Sequence, residues 1–195
     1  MIGETRIIDF LEALSSSKPT PGGGTASALA GSLAASLVCK VAVLTIGKKN
    51  YNDVQDEIKE INEKSKVYKE KLLELAEKDS EAFNKIINAY RITRELNDIN
   101  EKKKILEEAS KEACLVPLET ANISYKVMEL SERIMMIGNK NAFTDSLSAA
   151  YLAFSAINGA IENVFFNLKN ISMDKDFSNK TYINAENIKR SSKEL

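Results

Sequence analysis

Apolar residues recur at helical spacing along nearly the whole chain. Ile7, Ile8, Phe10, Leu11 and Leu14 share one face of a short helix over residues 7–14, for which Thr5 is the expected N-cap. Residues 25–47 are rich in Ala, Leu, Val and Ser and carry one charge, Lys40. A stretch of about 20 such residues is just long enough to cross a bilayer. However, Lys40 lies well inside it, Ser and Thr recur, and a strongly polar segment follows. The expectation is the central helix of a bundle, with small residues that let neighbouring backbones approach. Residues 52–90 form a long charged helix with one inward stripe: Leu72, Leu75, Ala76, Asp79, Ala82, Phe83, Ile86, Ile87 and Tyr90. A turn at residues 97–100 leads to a helix over 100–133, which Pro117 should kink or restart. A break at Gly138-Asn139-Lys140-Asn141 precedes a mostly apolar helix over 142–168, where Asp145 is the only charge before Glu162. The polar tail, residues 174–195, should end in a short helix.

No segment alternates like a strand and no internal repeat is evident. With only 3 prolines and 8 glycines in 195 residues, long helices fit better than many strands. The pattern predicts one all-α domain over residues 1–195. Its architecture is a bundle of about six or seven helices, with long antiparallel helices and a Gly-rich loop opening the central apolar one.

Charge and residue usage then narrow the chemistry. Lys plus Arg is 27 and Asp plus Glu is 28, for a net charge of −1. That balance argues against a general nucleic-acid binder, and no membrane partner is expected. The chain has no histidine. This removes Ser-His-Asp and Cys-His nucleophiles, His-bearing zinc sites and the di-iron Glu-x-x-His bundle. Proton transfer must fall to Asp, Glu, Lys, Tyr or Cys. Cys39 and Cys114 lie in apolar helical runs and read as free thiols, and there is no C-x-x-C to hold a structural metal. The first apolar run is interrupted by Asp9 and Glu12, unlike a signal peptide. The expected setting is reducing and cytoplasmic.

Four features stand out as candidate chemistry. Asp79 sits on an apolar stripe, where a carboxylate must be paired, hydrogen-bonded or shifted in pKa; it is either a structural pair or a functional acid. Asp145 lies in the first turn of an otherwise uncharged helix. There it is either a carboxylate favoured by the helix dipole or an acid at the mouth of a pocket. The loop Pro19-Thr20-Pro21-Gly22-Gly23-Gly24-Thr25 runs straight into a helix, so it is either an anion-receiving N-terminus or a tight turn for close helix crossing. It lacks the Lys of a P-loop and the preceding strand of a dinucleotide fingerprint. Asn163 and Asn167, at i and i+4, share a helix face and each amide needs partners. Asp145 and Asn163 also share a face, but 18 residues apart means about 27 Å. One small-molecule site holds both only through a kink or a second subunit.

The glycine loop opening an Ala-rich helix resembles the signature of the formiminotetrahydrofolate cyclodeaminase and methenyltetrahydrofolate cyclohydrolase family. The likeness continues in order through Leu44-Thr45-Ile46-Gly47-Lys48-Lys49, Asp79-Ser80-Glu81-Ala82-Phe83, Val116-Pro117-Leu118 and Gly138-Asn139. It ends with Thr144-Asp145, Asn163-Val164 and Asn167-Leu168. It covers nearly the whole chain. Thr25 and Thr144 stand where Ser is usual. Where the family has a Leu-Pro-Lys turn, this chain reads Tyr90-Arg91-Ile92-Thr93-Arg94.

The resemblance implies an all-helical homodimer acting on tetrahydrofolate, either by cyclodeamination of the 5-formimino form or by hydrolysis of the 5,10-methenyl form. At 195 residues there is no room for the transferase that some members carry. Desolvation of Asp79 on its stripe and the helix dipole at Asp145 push their pKa values apart, so the expected catalytic pair is Asp79 as proton donor to the leaving group and Asp145 as base or cation stabiliser. The implied substrate-binding residues are Pro21, Gly22, Gly23, Gly24, Thr25, Lys48, Lys49, Asn139, Thr144, Asn163 and Asn167. No metal or other cofactor is expected besides the folate substrate, whose anionic polyglutamyl tail could meet Lys48, Lys49 or the loop amides. Both reactions pass through cationic carbon centres, which a carboxylate can pair with and serve as acid or base. A folate-binding relative without activity and a helical scaffold remain alternatives, although buried carboxylates give a scaffold no evident gain.

Overall fold

The computed structural model describes residues 2–195. Among them are six α-helices and no strand: α1 (Ile7–Leu14), α2 (Gly23–Thr45), α3 (Gln55–Arg94), α4 (Ile99–Ile137), α5 (Phe143–Leu168) and α6 (Lys175–Glu194). Short 3₁₀ turns precede α1, α3 and α5.

Helix α2 is the axis. Its central residues Ala28, Ala34, Ala35, Val38, Val41 and Ala42 are fully buried, and α3, α4 and α5 pack around it. By length and composition α2 could cross a membrane, but half of its most apolar stretch is covered by the other helices. The cross-links give the directions. Thr25 meets Asp79, Ser32 donates to the Lys69 carbonyl, Cys39 lies beside Ser65, and Gln55 donates to the Thr45 carbonyl, so α3 runs antiparallel to α2. Gly23 faces Asn163, Ser27 faces Gly159 and Lys40 pairs with Asp145, so α5 is antiparallel to α2 as well. Gly31 faces Ser124 and Asn139 donates to Thr45, so α4 runs parallel to it.

Small residues make these crossings close. A Cβ on Gly31 would lie 2.6 Å from the Ser124 hydroxyl, and one on Gly159 would overlap that of Ser27. Gly47 ends the helix with φ +75, a left-handed conformation that favours glycine.

At 40 residues α3 is about 60 Å long, far longer than α2. Past Asp79 it runs beyond the start of α2. There it continues with the first part of α4 as a two-helix arm around Ala82, Ile86 and Ala113. The helices meet through a short turn, and Asp98 caps α4 by accepting the backbone N–H groups of Asn100 and Glu101.

Several expectations need correction. Arg6, not Thr5, occupies the N-cap position of α1 and supplies no side-chain cap; its guanidinium pairs with Asp9 at 2.7 Å. The terminal helix α6 spans 20 residues rather than a few. Its inward face is the sparse series Thr181, Ala185, Ile188 and Ser192, only one of them a large hydrophobe, so the stripe was hard to see in sequence. Pro117 does not restart its helix: α4 continues through it. A proline leaves the carbonyl four residues back without its N–H partner. Here that carbonyl is Ala113, and the Asn167 side-chain amide of α5 donates to it at 2.7 Å.

Glu107 fastens the link between α5 and α6. It is 4% exposed and accepts the backbone N–H groups of Ser172, Met173 and Asp174 at 3.0, 2.7 and 2.7 Å. Burial alone would raise its pKa, but the three amides and nearby Lys111 outweigh that and hold the carboxyl below its ordinary value. Cys39 and Cys114 are free thiols, and burial pushes Cys114 up to about 12.

Candidate active site

A pocket of about 270 Å³ opens where α2 begins beside the middle of α3 and the last turns of α5. Pro19, Thr20 and the three glycines Gly22, Gly23 and Gly24 form one wall. Asp79, Ala82, Phe83 and Ile86 of α3 form another, Asn163, Phe166 and Asn167 of α5 a third, and Ala113 of α4 contributes as well. The volume sits at the low end for ligand sites, so it suits one ring system rather than a whole cofactor-sized molecule.

Asp79 is the only ionisable group in that lining. Its Oδ2 accepts the Thr25 hydroxyl at 2.8 Å, and Thr25 itself is fully buried. Burial raises the Asp79 pKa; the Thr25 hydroxyl and backbone amide oppose this without cancelling it. A carboxyl held above its ordinary value beside an open cavity is suited to take up and return a proton. The glycine loop makes room for it. A Cβ on Gly24 would lie 2.6 Å from the Asp79 carboxyl carbon, whereas one on Gly23 would meet only ordinary contact with Asn163 at 3.8 Å. Close approach of loop to carboxylate therefore rests on Gly24.

The two asparagines are oriented by what they donate to. Asn163 Nδ2 donates to the Gly159 carbonyl at 2.8 Å and Asn167 Nδ2 to the Ala113 carbonyl at 2.7 Å. Each carboxamide nitrogen thereby spends one of its two N–H groups on a backbone carbonyl. The two carboxamide oxygens have no partner among the described residues, leaving two acceptors on pocket-lining side chains for ligand N–H groups.

The remaining sequence candidates gather elsewhere. Asp145 Oδ1 lies 3.0 Å from Lys40 Nζ. Lys40 is 15 residues along α2 from Thr25, about 22 Å away. Asn139 lies near that same far end, donating to the Leu44 carbonyl through Nδ2 and to Thr45 Oγ1 through its backbone N–H, both at 2.9 Å. Thr144 stands beside Asp145 in the first turn of α5, and Lys48 and Lys49 follow the end of α2. Within one chain, then, Asp145, Asn139, Thr144, Lys48 and Lys49 do not join Asp79. The cause is that α2 separates them along its length. Thr25 and Pro21 are not part of the pocket lining either; Thr25 acts by holding Asp79.

The sequence pattern also placed Phe83, Ile87 and Tyr90 on a buried stripe, but they are 38%, 47% and 45% exposed because α3 has outrun α2 there. Phe166 was missed altogether. It is 65% exposed on an apolar helix, and its position three residues after Asn163 was the available signal.

The chain is 35% identical over 179 residues to a methenyltetrahydrofolate cyclohydrolase of Methylorubrum extorquens, covering 91% of this chain and 86% of that one. It is 27% identical over 170 residues to the formimidoyltransferase-cyclodeaminase of Gallus gallus, of which it spans only 31%. The crystal structure of formiminotetrahydrofolate cyclodeaminase from Thermotoga maritima superposes with a TM-score of 0.83 at 30% identity, covering 100% of this chain and 96% of that one. Residues 6–187 match the formiminotransferase-cyclodeaminase family, and the chain belongs to it.

Proposed function

We propose that this protein is a folate one-carbon enzyme acting at the carbon that bridges, or comes to bridge, N5 and N10 of tetrahydrofolate, with Asp79 as the proton-transfer group. The observation that carries this reading is a single carboxyl, held by Thr25 and raised in pKa, lining a pocket with two free carboxamide oxygens. The names of the similar proteins supply the substrate class.

In hydrolysis of the 5,10-methenyl form, water adds to the cationic carbon. Asp79 takes the proton that this water loses. The C–N5 bond then breaks as the new hydroxyl gives up its proton to solvent and becomes the formyl carbonyl; the proton on Asp79 passes to N5, and the formyl group stays on N10. In cyclodeamination, N10 attacks the carbon of the protonated formimino group. Asp79 takes the N10 proton and gives it to the departing nitrogen, which leaves as ammonia, and the methenyl cation remains. In both, an ionised Asp79 also pairs with positive charge. The aromatic face of Phe83 and the carboxamide oxygens of Asn163 and Asn167 suit a flat, hydrogen-bonding ring.

Separate incubation with 5-formimino- and 5,10-methenyltetrahydrofolate tests the reading. Catalysed loss of methenyl absorbance identifies the hydrolase; its appearance with ammonia identifies the cyclodeaminase. No acceleration in either direction defeats the proposal, and binding without turnover points to an inactive relative.

A homodimer in a cytoplasmic setting belongs to the same proposal. Ile7, Leu11 and Leu33 are 79%, 51% and 59% exposed around a groove between α1 and α2, apolar surface of the kind a second copy covers. Light scattering at micromolar concentration checks it.

A further inference from the structure

A proline inside a helix is unfavourable, so a buried one raises the question of what it does there. Pro117 lies within α4 and is buried. It has no N–H for the Ala113 carbonyl, and its ring crowds that carbonyl away from the helix axis. Ala113 is 4% exposed and lines the Asp79 pocket. A buried carbonyl without a donor is costly, so another group must supply one. That group is Asn167 Nδ2 of α5, at 2.7 Å.

The vacancy at Ala113 decides which way the Asn167 carboxamide faces. Its oxygen against the Ala113 carbonyl would set two acceptors together, so the nitrogen takes that place. The oxygen, on a pocket-lining side chain, has no partner among the described residues. Asn163 is held differently. Its Nδ2 donates at 2.8 Å to the Gly159 carbonyl, four residues back in its own helix, and the Asn163 backbone N–H already uses that carbonyl. Asn167 instead holds a carbonyl that no helical N–H claims. At the same level Cys114 Sγ lies 3.9 Å from the Val164 carbonyl, so α4 and α5 are in close contact there.

We propose that Pro117, which does not itself line the pocket, is a positioning residue for it: by reserving the Ala113 carbonyl for Asn167, it presents the Asn167 carboxamide oxygen as a fixed acceptor for a ligand ring N–H. The identity of the ligand rests on the folate reading above; the hydrogen-bond arrangement does not. An N–H at position 117 would draw the Ala113 carbonyl back into the helical ladder. The Asn167 carboxamide would then turn, and the pocket would offer a donor part of the time where it now offers an acceptor.

The test uses P117A, P117V, N167A and the double variant P117A/N167A. P117A and P117V both restore the N–H, but P117V keeps most of the apolar bulk, which separates the hydrogen bond from packing. The first readout is KM and kcat, with Kd by equilibrium dialysis, for 5,10-methenyl- and 5-formiminotetrahydrofolate. P117A and P117V should each raise KM and Kd by about fivefold, the scale of one net hydrogen bond, with kcat within about twofold. N167A should do the same, and the double variant should be no worse than N167A, because Pro117 acts through that amide. The second readout needs no folate. It is the pair of Asn167 side-chain amide protons in an NMR spectrum, assigned by their loss in N167A. One of the pair should be protected from exchange in wild type and lose that protection in P117A and P117V. Additive losses in the double variant, a P117A effect that P117V repairs, an unchanged KM in N167A, or an amide that neither proline variant alters overturns the positioning role and leaves the folate reading standing. If a proline variant fails to fold, amide protection in wild type and the KM of N167A still decide: both as expected uphold the role, and either one missing overturns it. The expected amide change with no binding or turnover of either folate upholds the positioning role and overturns the folate reading.

Discussion

Asp79 and Glu107 are both carboxylates drawn away from water on the paired helices α3 and α4, and they meet opposite surroundings. Glu107 has three backbone N–H donors and Lys111 nearby, and its carboxyl is held below the ordinary range. Asp79 has Thr25 alone, and its carboxyl is pushed above it. Burial acts in the same direction on both, so the number of donors decides the outcome. A saturated carboxylate has no proton to trade and serves as a fastening for the chain. An undersupplied one beside a cavity costs stability and is ready for proton transfer. Their neighbourhoods follow suit: Glu107 ties down a loop that would otherwise leave three N–H groups unmet, whereas Asp79 faces the open space the glycine loop leaves.

The largest effect expected from breaking this contrast is on turnover. Asp79→Asn is nearly isosteric and should lower kcat by about 10²–10⁴-fold, the scale of a lost acid or base. Its melting temperature at pH 7 should be unchanged or higher. Because the folded state raises the Asp79 pKa, the stability tied to its proton is fully present below the unfolded pKa. It is lost as pH rises through the folded one, so at neutral pH the ionised group is a net cost. A variant that melts lower and still turns over would make Asp79 a structural residue.

Glu107→Ala should do the reverse. It leaves buried donors unmet and should cost about 2–3 kcal/mol in urea unfolding, with kcat of the folded fraction within about twofold. An intact unfolding midpoint would show that the loop finds other partners. Next comes the loop itself. Gly24→Ala forces a methyl against the Asp79 carboxyl and should cut turnover by about tenfold, a scale set by about 1.4 kcal/mol of lost positioning, while Gly23→Ala should change it by less than about twofold. Equal effects would mean that loop stiffness rather than contact with Asp79 matters.

Acid titration sharpens the contrast further. Glu107 contributes stability above its unfolded pKa, and this is lost as pH falls through its depressed folded value. Wild type should therefore weaken below about pH 4, and Glu107→Gln should remove part of that slope. An unchanged slope would assign the acid sensitivity to other carboxylates. The smallest effect is expected at Asp145. Outside the Asp79 pocket and paired with Lys40, Asp145→Asn should leave turnover within about threefold, because exposed pairs contribute little. A collapse of turnover would instead mean that a partner subunit brings this end of the bundle to the pocket.

Much of this was open to inspection in the chain itself. The period of apolar residues set helix number and position, the scarcity of breakers set helix length, and the absence of histidine confined proton chemistry to a few groups. Asp79 was conspicuous because a charge on an apolar stripe needs a reason. These are local properties, written in spacing and residue type. What the tertiary structure decided depends on which helix ends lie side by side. Helix length alone already set Asp145 about 27 Å from Asn163; that Asp79 joins the Asn163 end, and that Asn139, Lys48 and Lys49 join the Asp145 end, was decided by the packing of α3 and α5 on α2. The overhang of α3 turned Phe83, Ile87 and Tyr90 from core positions into an exposed track. The carbonyl freed by Pro117 found its donor in Asn167, 54 residues along the chain. Donor counts at Asp79 and Glu107 come from backbone amides and hydroxyls distant in sequence. Periodicity reports which face of a helix is apolar, but not how far its neighbour extends or what that neighbour donates.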